Sequence, residues 1–153
     1  SSTGYSTGRV FNQLTEALLQ TETGSMTPAE IEQVFAALPV DVTFVDAGNK
    51  VRFFSRPRER IFPRSSAIIG RSVENCHPPQ SVDRVLEIIQ AFRDGRHQQA
   101  SFWIRLRGRL ILIQYFAVRD KHGGYMGTLE VSQDITDWQQ LEGERRLISW
   151  KDT

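Results

Sequence analysis

Cysteine is almost missing from this chain: Cys76 is its one thiol. No internal disulfide can form, and a cytoplasmic setting is the expectation. Histidine is scarce as well, with His77, His97 and His122 at separations unlike those of a metal site. No apolar run approaches the length that spans a bilayer and no signal peptide is visible, so no membrane partner is expected. An excess of charge of one sign is lacking too. Lys and Arg number 19 against 18 Asp and Glu, a net charge of +1, which argues against a dedicated nucleic-acid binder. Phosphate-binding glycine loops, nucleophile elbows and kinase signatures are absent, and enzyme activity is not expected.

What remains is ordinary globular material: 39% hydrophobic and 24% charged residues over a length of 153. That supports one domain with a core and helical flanks, read as a piece of a longer protein. Residues 1–26 are expected to form a helical extension and linker, with Phe11, Leu14 and Leu18 at helical spacing over Arg9–Gln20 and a polar joint from Thr21 to Met26. Thr27-Pro28-Ala29-Glu30 is a capping box, and Ile31, Val34, Phe35 and Leu38 give the helix behind it one apolar face until Pro39. Val42–Asp46 and Val51–Phe54 read as a hairpin about a glycine turn. Ser55–Asn75 is basic and lacks a sustained period, so only short helical turns are expected. Val82, Val85, Leu86, Ile89 and Phe92 mark a long helix from Ser81 that Gly95 stops. Gln99–Leu106, Leu110–Val118 and the run from Gly124 to Gln133 read as a three-strand meander. The sum is an α+β plan with a five-stranded antiparallel sheet and helices on one face.

The chain closes on Asp134-Ile135-Thr136, a short hinge between the last strand and a polar, amphipathic segment. Together with Phe44-Val45-Asp46 before its glycine turn, His77-Pro78 and Arg119-Asp120, this order of motifs resembles a PAS domain over about Ile31–Ile148. Leu38–Asp46, Ile61–Arg64, Asn75–Pro79, Tyr115–Asp120 and Leu141–Glu144 are similar to a bacterial PAS subfamily that often follows a DUF438 region and a hemerythrin-like domain. The resemblance implies a sensory module over 27–136, joined to other domains of the same full-length protein. In that family the hinge carries changes from the sheet into an outgoing helix, here 137–153. Thr136 and Gln139 would cap that helix. Trp138, Leu141 and Ile148 fall on its a and d positions, with Arg145 at the remaining a, and a homodimer through terminal helices and the open sheet face is expected.

Strand parity supplies the candidate site. Aligning the last strand on Asp134 turns Ser132, Glu130 and Thr128 to the helical side; aligning the middle one on Asp120 turns Ile111, Ile113, Tyr115 and Ala117 the same way. A carboxylate there needs a partner, for which Tyr115, His77, Arg64 and Arg71 are the candidates. The candidate ligand-binding set is His77, Tyr115, Glu130, Ser132, Trp103 and Cys76, around an unknown small molecule. Two alternatives stand beside it. One is a ligand-free PAS used for dimerisation; the other is a haem or metal redox sensor using His77, with imidazole and thiolate as soft ligands. Gly70-Arg71 and Asn75-Cys76 resemble the flavin-binding LOV motif, but the cysteine comes three residues too late, and Ser132 stands where those domains carry glutamine.

Overall fold

The computed structural model describes residues 17–152. Strands β1 (Leu19–Thr21) and β2 (Gly24–Met26) form a small antiparallel hairpin ahead of helix α1 (Pro28–Ala37). Strands β3 (Asp41–Asp46) and β4 (Val51–Phe54) follow, then two 3-10 turns at Ser66–Ile68 and Val73–Cys76, then helix α2 (Pro79–Arg93). The meander β5 (Gln99–Leu106), β6 (Arg109–Arg119) and β7 (Tyr125–Asp134) completes a five-stranded sheet in the order β4-β3-β7-β6-β5, antiparallel throughout.

Local chemistry sets these boundaries. Thr27 Oγ1 accepts from the Glu30 amide at 3.1 Å and the Glu30 carboxylate accepts from the Thr27 amide at 2.9 Å, so the capping box that starts α1 is formed. Asp46 Oδ1 takes the Gly48 and Lys50 amides, which closes the β3–β4 turn with Asn49 in a left-handed conformation at φ 62°. At the middle of the sheet, Gly127 lies so close to β3 that a Cβ there would run into the Val45 carbonyl and the Phe44 ring.

Two apolar clusters hold α2 to the inner face of the sheet. Val85 and Ile89 pack with Val45, Val51 and Val73, and Phe92 packs with Ile111, Ile113 and Tyr115. Helix α1 lies elsewhere: its Phe35 meets Phe53 edge-on at 5.3 Å. Phe53 pairs with Phe44, whereas its neighbour Phe54 pairs with Thr43 on the inner face. Alternation therefore puts α1 over the outer face, and the helices do not all share one side.

The ends depart from expectation. Most of the helix expected over Arg9–Gln20 lies outside the described residues, but Leu19 and Gln20 belong to a strand. The expected Thr21–Met26 linker instead contains a tight turn, in which Thr21 Oγ1 bonds the Gly24 carbonyl at 2.9 Å and takes the Thr23 amide at 3.3 Å. The outgoing α-helix over 137–153 is absent from the described residues. A single 3-10 turn, Asp137–Gln140, is followed by irregular chain and a second turn at Trp150–Asp152. The hydroxyl expected to cap that helix is engaged elsewhere, and Thr136 makes no side-chain cap bond. Gly143 adopts φ 62°, and a helix of this length needs tertiary packing to persist in water.

Candidate functional site

A polar strip runs across the inner face where β3, β7 and β6 lie side by side. Asp41 is opposite Ser132, itself opposite Ile113; on the next rung Thr43 is opposite Glu130, itself opposite Tyr115. Acidic groups on the covered face of a sheet are costly unless paired. Two arginines from the segment between β4 and α2 meet that need. Arg60 Nε stands 3.6 Å from Asp41 Oδ2, with the side chains only 10% and 4% exposed. Arg60 also donates to the Phe62 carbonyl at 2.9 Å and to the Ser55 carbonyl, while the Phe62 amide donates to Asp41 Oδ2 at 2.9 Å. One rung along, Arg64 Nη2 reaches Glu130 Oε1 at 3.9 Å, with 17% and 15% exposed. An otherwise irregular segment is thereby strapped to the sheet by two ion pairs.

The second strap borders a nearly closed cleft of about 20 Å³, between α2, the 3-10 turns and the sheet. That is room for about one water molecule. Six valine and isoleucine side chains line it, and Thr43, Arg64, Cys76, His77, Tyr115, Thr128 and Glu130 supply the polar groups. His77 Nδ1 lies 2.9 Å from the Val73 carbonyl and Cys76 Sγ donates to the Ser72 carbonyl at 3.5 Å, which fixes both side chains at the end of a 3-10 turn. Tyr115 is buried and stacks on Phe102 with ring centres 6.0 Å apart. Burial, and then the nearby Glu130 carboxylate, push its phenol far above the ordinary tyrosine range, so it stays a neutral hydroxyl.

The structure thus brings His77, Cys76, Tyr115 and Glu130 to one cleft. Ser132 is fully buried on the adjacent rung and does not line it. Trp103 does not reach it. It is paired with Leu112, one step out of phase with Ile113, and stands 67% exposed on the outer face. Phe102 is the neighbour that turns inward. Glu130 makes an ion pair with Arg64 rather than the expected hydrogen bond, and Arg71 takes no part in it. Sequence parity found Glu130 but not Asp41 one rung away, nor Arg60. Only the Arg-rich composition of 56–64 hinted at them. Three buried side-chain atoms lack a hydrogen-bond partner among the described residues: Asp41 Oδ1, Ser132 Oγ and Arg64 Nε. All three lie on this strip or over it. Among the described residues there is no group of three or more His, Cys, Asp or Glu that could hold a metal ion. The cleft in this state is far smaller than a haem.

The hinge lies at the C-terminal end of β7. Arg109 Nε donates to Asp134 Oδ2 at 2.7 Å, and its Nη2 is 3.3 Å from Asp137 Oδ1. Thr136 Oγ1 donates to Asp134 Oδ1 at 2.6 Å and accepts from the Leu110 amide at 2.8 Å, while the Ile135 amide bonds the Leu110 carbonyl. The Arg109 bond, reinforced by Thr136, holds the Asp134 carboxyl down at about 2. The chain leaves the sheet clamped to the start of β6.

Comparison with known proteins places these features in a family. A PAS-domain family model matches residues 31–136, more than half of the chain. The chain belongs to the PAS family. Among solved structures, a C-terminal domain from Streptococcus mutans is 27% identical with a TM-score of 0.77, over 82% of this chain and 98% of that one. The PAS domain of a Colwellia psychrerythraea protein has 15% identity and a TM-score of 0.54, covering 72% of this chain and 98% of its own. A sensory box histidine kinase structure from Vibrio cholerae has 10% identity and a TM-score of 0.50, covering 71% and 92%. At those two identities the likeness is one of fold. No curated protein sequence matches the chain. PAS domains are generally non-enzymatic sensory modules, and no helix among the described residues is long and apolar enough to cross a membrane.

Proposed function

We propose that this PAS domain is a sensory module that binds a small molecule in the inner cleft and passes its occupancy to the segment beyond Thr136. The observation that carries the reading is the polar strip: buried atoms without partners gather beside a closed, mostly apolar cleft. Such a site is set to gain hydrogen bonds from a guest. Glu130 and the hinge lie on the same strand four residues apart, so a guest that displaces the Arg64 strap acts on β7 directly. Signalling then follows from the guest's preference for one arrangement of strap and strand over another. The wider setting we propose is cytoplasmic and bacterial, beside DUF438 and hemerythrin-like domains of the same full-length protein.

Cys76 provides the test, because it lines the cleft and is the one thiol available to an alkylating reagent. Small-molecule fractions of a bacterial extract are scored for slowing its alkylation by iodoacetamide, and active fractions are followed by amide NMR. Protection accompanied by shifts at Leu110 and Thr136 is expected. Absence of protection by any fraction, or protection without movement at the hinge, would refute binding or relay respectively.

A second reading has its own support. The cleft holds little more than a water, while Trp103, Met126 and Leu141 are exposed apolar side chains. On that reading the domain is a ligand-free dimerisation module, its partner a second copy through the outer face and the C-terminal segment. Sedimentation of the wild type and of Leu141→Asp separates the cases. A wild type that remains monomeric at all concentrations refutes the dimer.

A further inference from the structure

The cleft's charges restrict what it can accept. Arg64 and Glu130 face it as one cation and one anion, held at 3.9 Å, beyond the reach of a charge-assisted hydrogen bond. Arg64 Nε is buried without an acceptor, and the Tyr115 phenol lies buried beside the Glu130 carboxylate. The neighbouring charges, Arg60 and Asp41, already compensate each other at 3.6 Å. The polar end of the cleft is therefore neutral in sum but locally split: an unused donor on Arg64, an acceptor on Glu130, and a phenol between strands that can serve as either. The rest of the wall is mainly aliphatic, from Val45, Val51, Ile68, Val73, Val85 and Ile89, with Thr43, Cys76, His77 and Thr128 between them.

An anion entering here would bond Arg64 but face Glu130; a cation would do the reverse. Either leaves one excess charge in a place with little water, which is costly. A zwitterion balances the sum yet must give up the hydration of two full charges to an aliphatic wall. A carboxamide or lactam balances it without that cost, its carbonyl accepting from Arg64 and its N–H donating to Glu130. We infer that the guest is an uncharged molecule with an amide-type acceptor and donor side by side, inserted between Arg64 and Glu130. This rests on the inner cleft being the binding site and adds the chemical class. Insertion opens the strap, since the two side chains must part to admit a planar group.

The test uses three molecules of nearly equal shape that differ in charge: acetamide, acetate and acetamidinium. Each is titrated into the isotope-labelled chain at matched ionic strength, with the amides of Cys76, Tyr115 and Glu130 followed by NMR. Acetamide is expected to bind about tenfold more tightly than either ion, equivalent to about 1.4 kcal/mol. In Glu130→Gln the order should turn towards acetate, and in Arg64→Gln towards acetamidinium. Acetate or acetamidinium matching acetamide at those amides in the wild type would overturn the chemical class and leave the site standing. An unchanged order in a folded Glu130→Gln protein would overturn it too. If none of the three moves those amides, the cleft itself is not the site and both readings fall. Should a variant not fold, the wild-type order still decides.

Discussion

The ion pair between Arg60 and Asp41 offers a sharp test of how the strap is held. Replacing Arg60 with Met keeps much of the side-chain volume but removes the donors to Asp41, Phe62 and Ser55. Asp41 would then stay 3% exposed with one amide, that of Phe62, as its hydrogen-bond donor. Breaking a buried pair from one side costs about 3–5 kcal/mol, because the partner is stranded. Asp41→Asn should cost less, about 2 kcal/mol, since its amide oxygen still accepts from Phe62 and Arg60 retains two carbonyls. The double variant strands no charge, so its loss should fall short of the sum by about 1–3 kcal/mol. Urea unfolding of the four proteins supplies the cycle. In heating, Arg60→Met should melt roughly 6–20 °C lower, at about 2–4 °C per kcal/mol for a domain of this size. A loss below about 1 kcal/mol for Arg60→Met, or strict additivity, would refute the strap as a buried ionic device.

Three further outcomes are expected. The Asp134 carboxyl sits at about 2 in the folded chain, below its unfolded value, so the hinge contributes stability that is complete above about pH 4 and is lost as pH falls towards about 2. Because Asp134 is a third exposed, the amount is below about 1 kcal/mol; acid unfolding of wild type and Asp134→Asn should converge at low pH, and curves that stay parallel would contradict the clamp. Gly127→Ala should destabilise by about 2 kcal/mol or more, since the obstacle is the backbone of β3, and a neutral result in urea would mean the strands are further apart than described. Thr27→Ala should cost about 1 kcal/mol through loss of the α1 cap, with a circular-dichroism melt as the check and no change as the refuting result.

Much of the sheet was legible because alternation and turn chemistry are local. Gln99–Leu106 and Val51–Phe54 read as strands from their own residues, and β3, β6 and β7 differ from expectation only at their ends. The hairpin at Leu19–Met26 escaped because strands of three residues are too short to display a period. The outgoing helix was expected from spacing that is real, but Trp138 and Leu141 are 61% and 68% exposed, and a periodic face without a partner does not hold a short helix. Trp103 stood in the candidate set, but the β5–β6 register turns it outward and Phe102 inward. Glu130 was found by parity in a strand with clear alternation. The Arg60–Asp41 pair was out of reach, because the path of an aperiodic segment over the sheet is decided by the finished tertiary structure.

The position of β7 bears on how the domain is born. It is the last of the sheet's strands in sequence and the middle one in space, between β3 and β6. Until it is made, β3–β4 and β5–β6 are two separate hairpins, and a lone hairpin is marginal in water. Asp41 meets Ser132 only when the chain through β7 has left the ribosome. The Arg64–Glu130 strap waits as well, since Glu130 lies on β7. Folding should therefore be governed by late, long-range closure and be slow for its size. A nascent chain halted before Tyr125 would be readily degraded, and any domain that follows Thr136 would emerge while its sensor is still assembling.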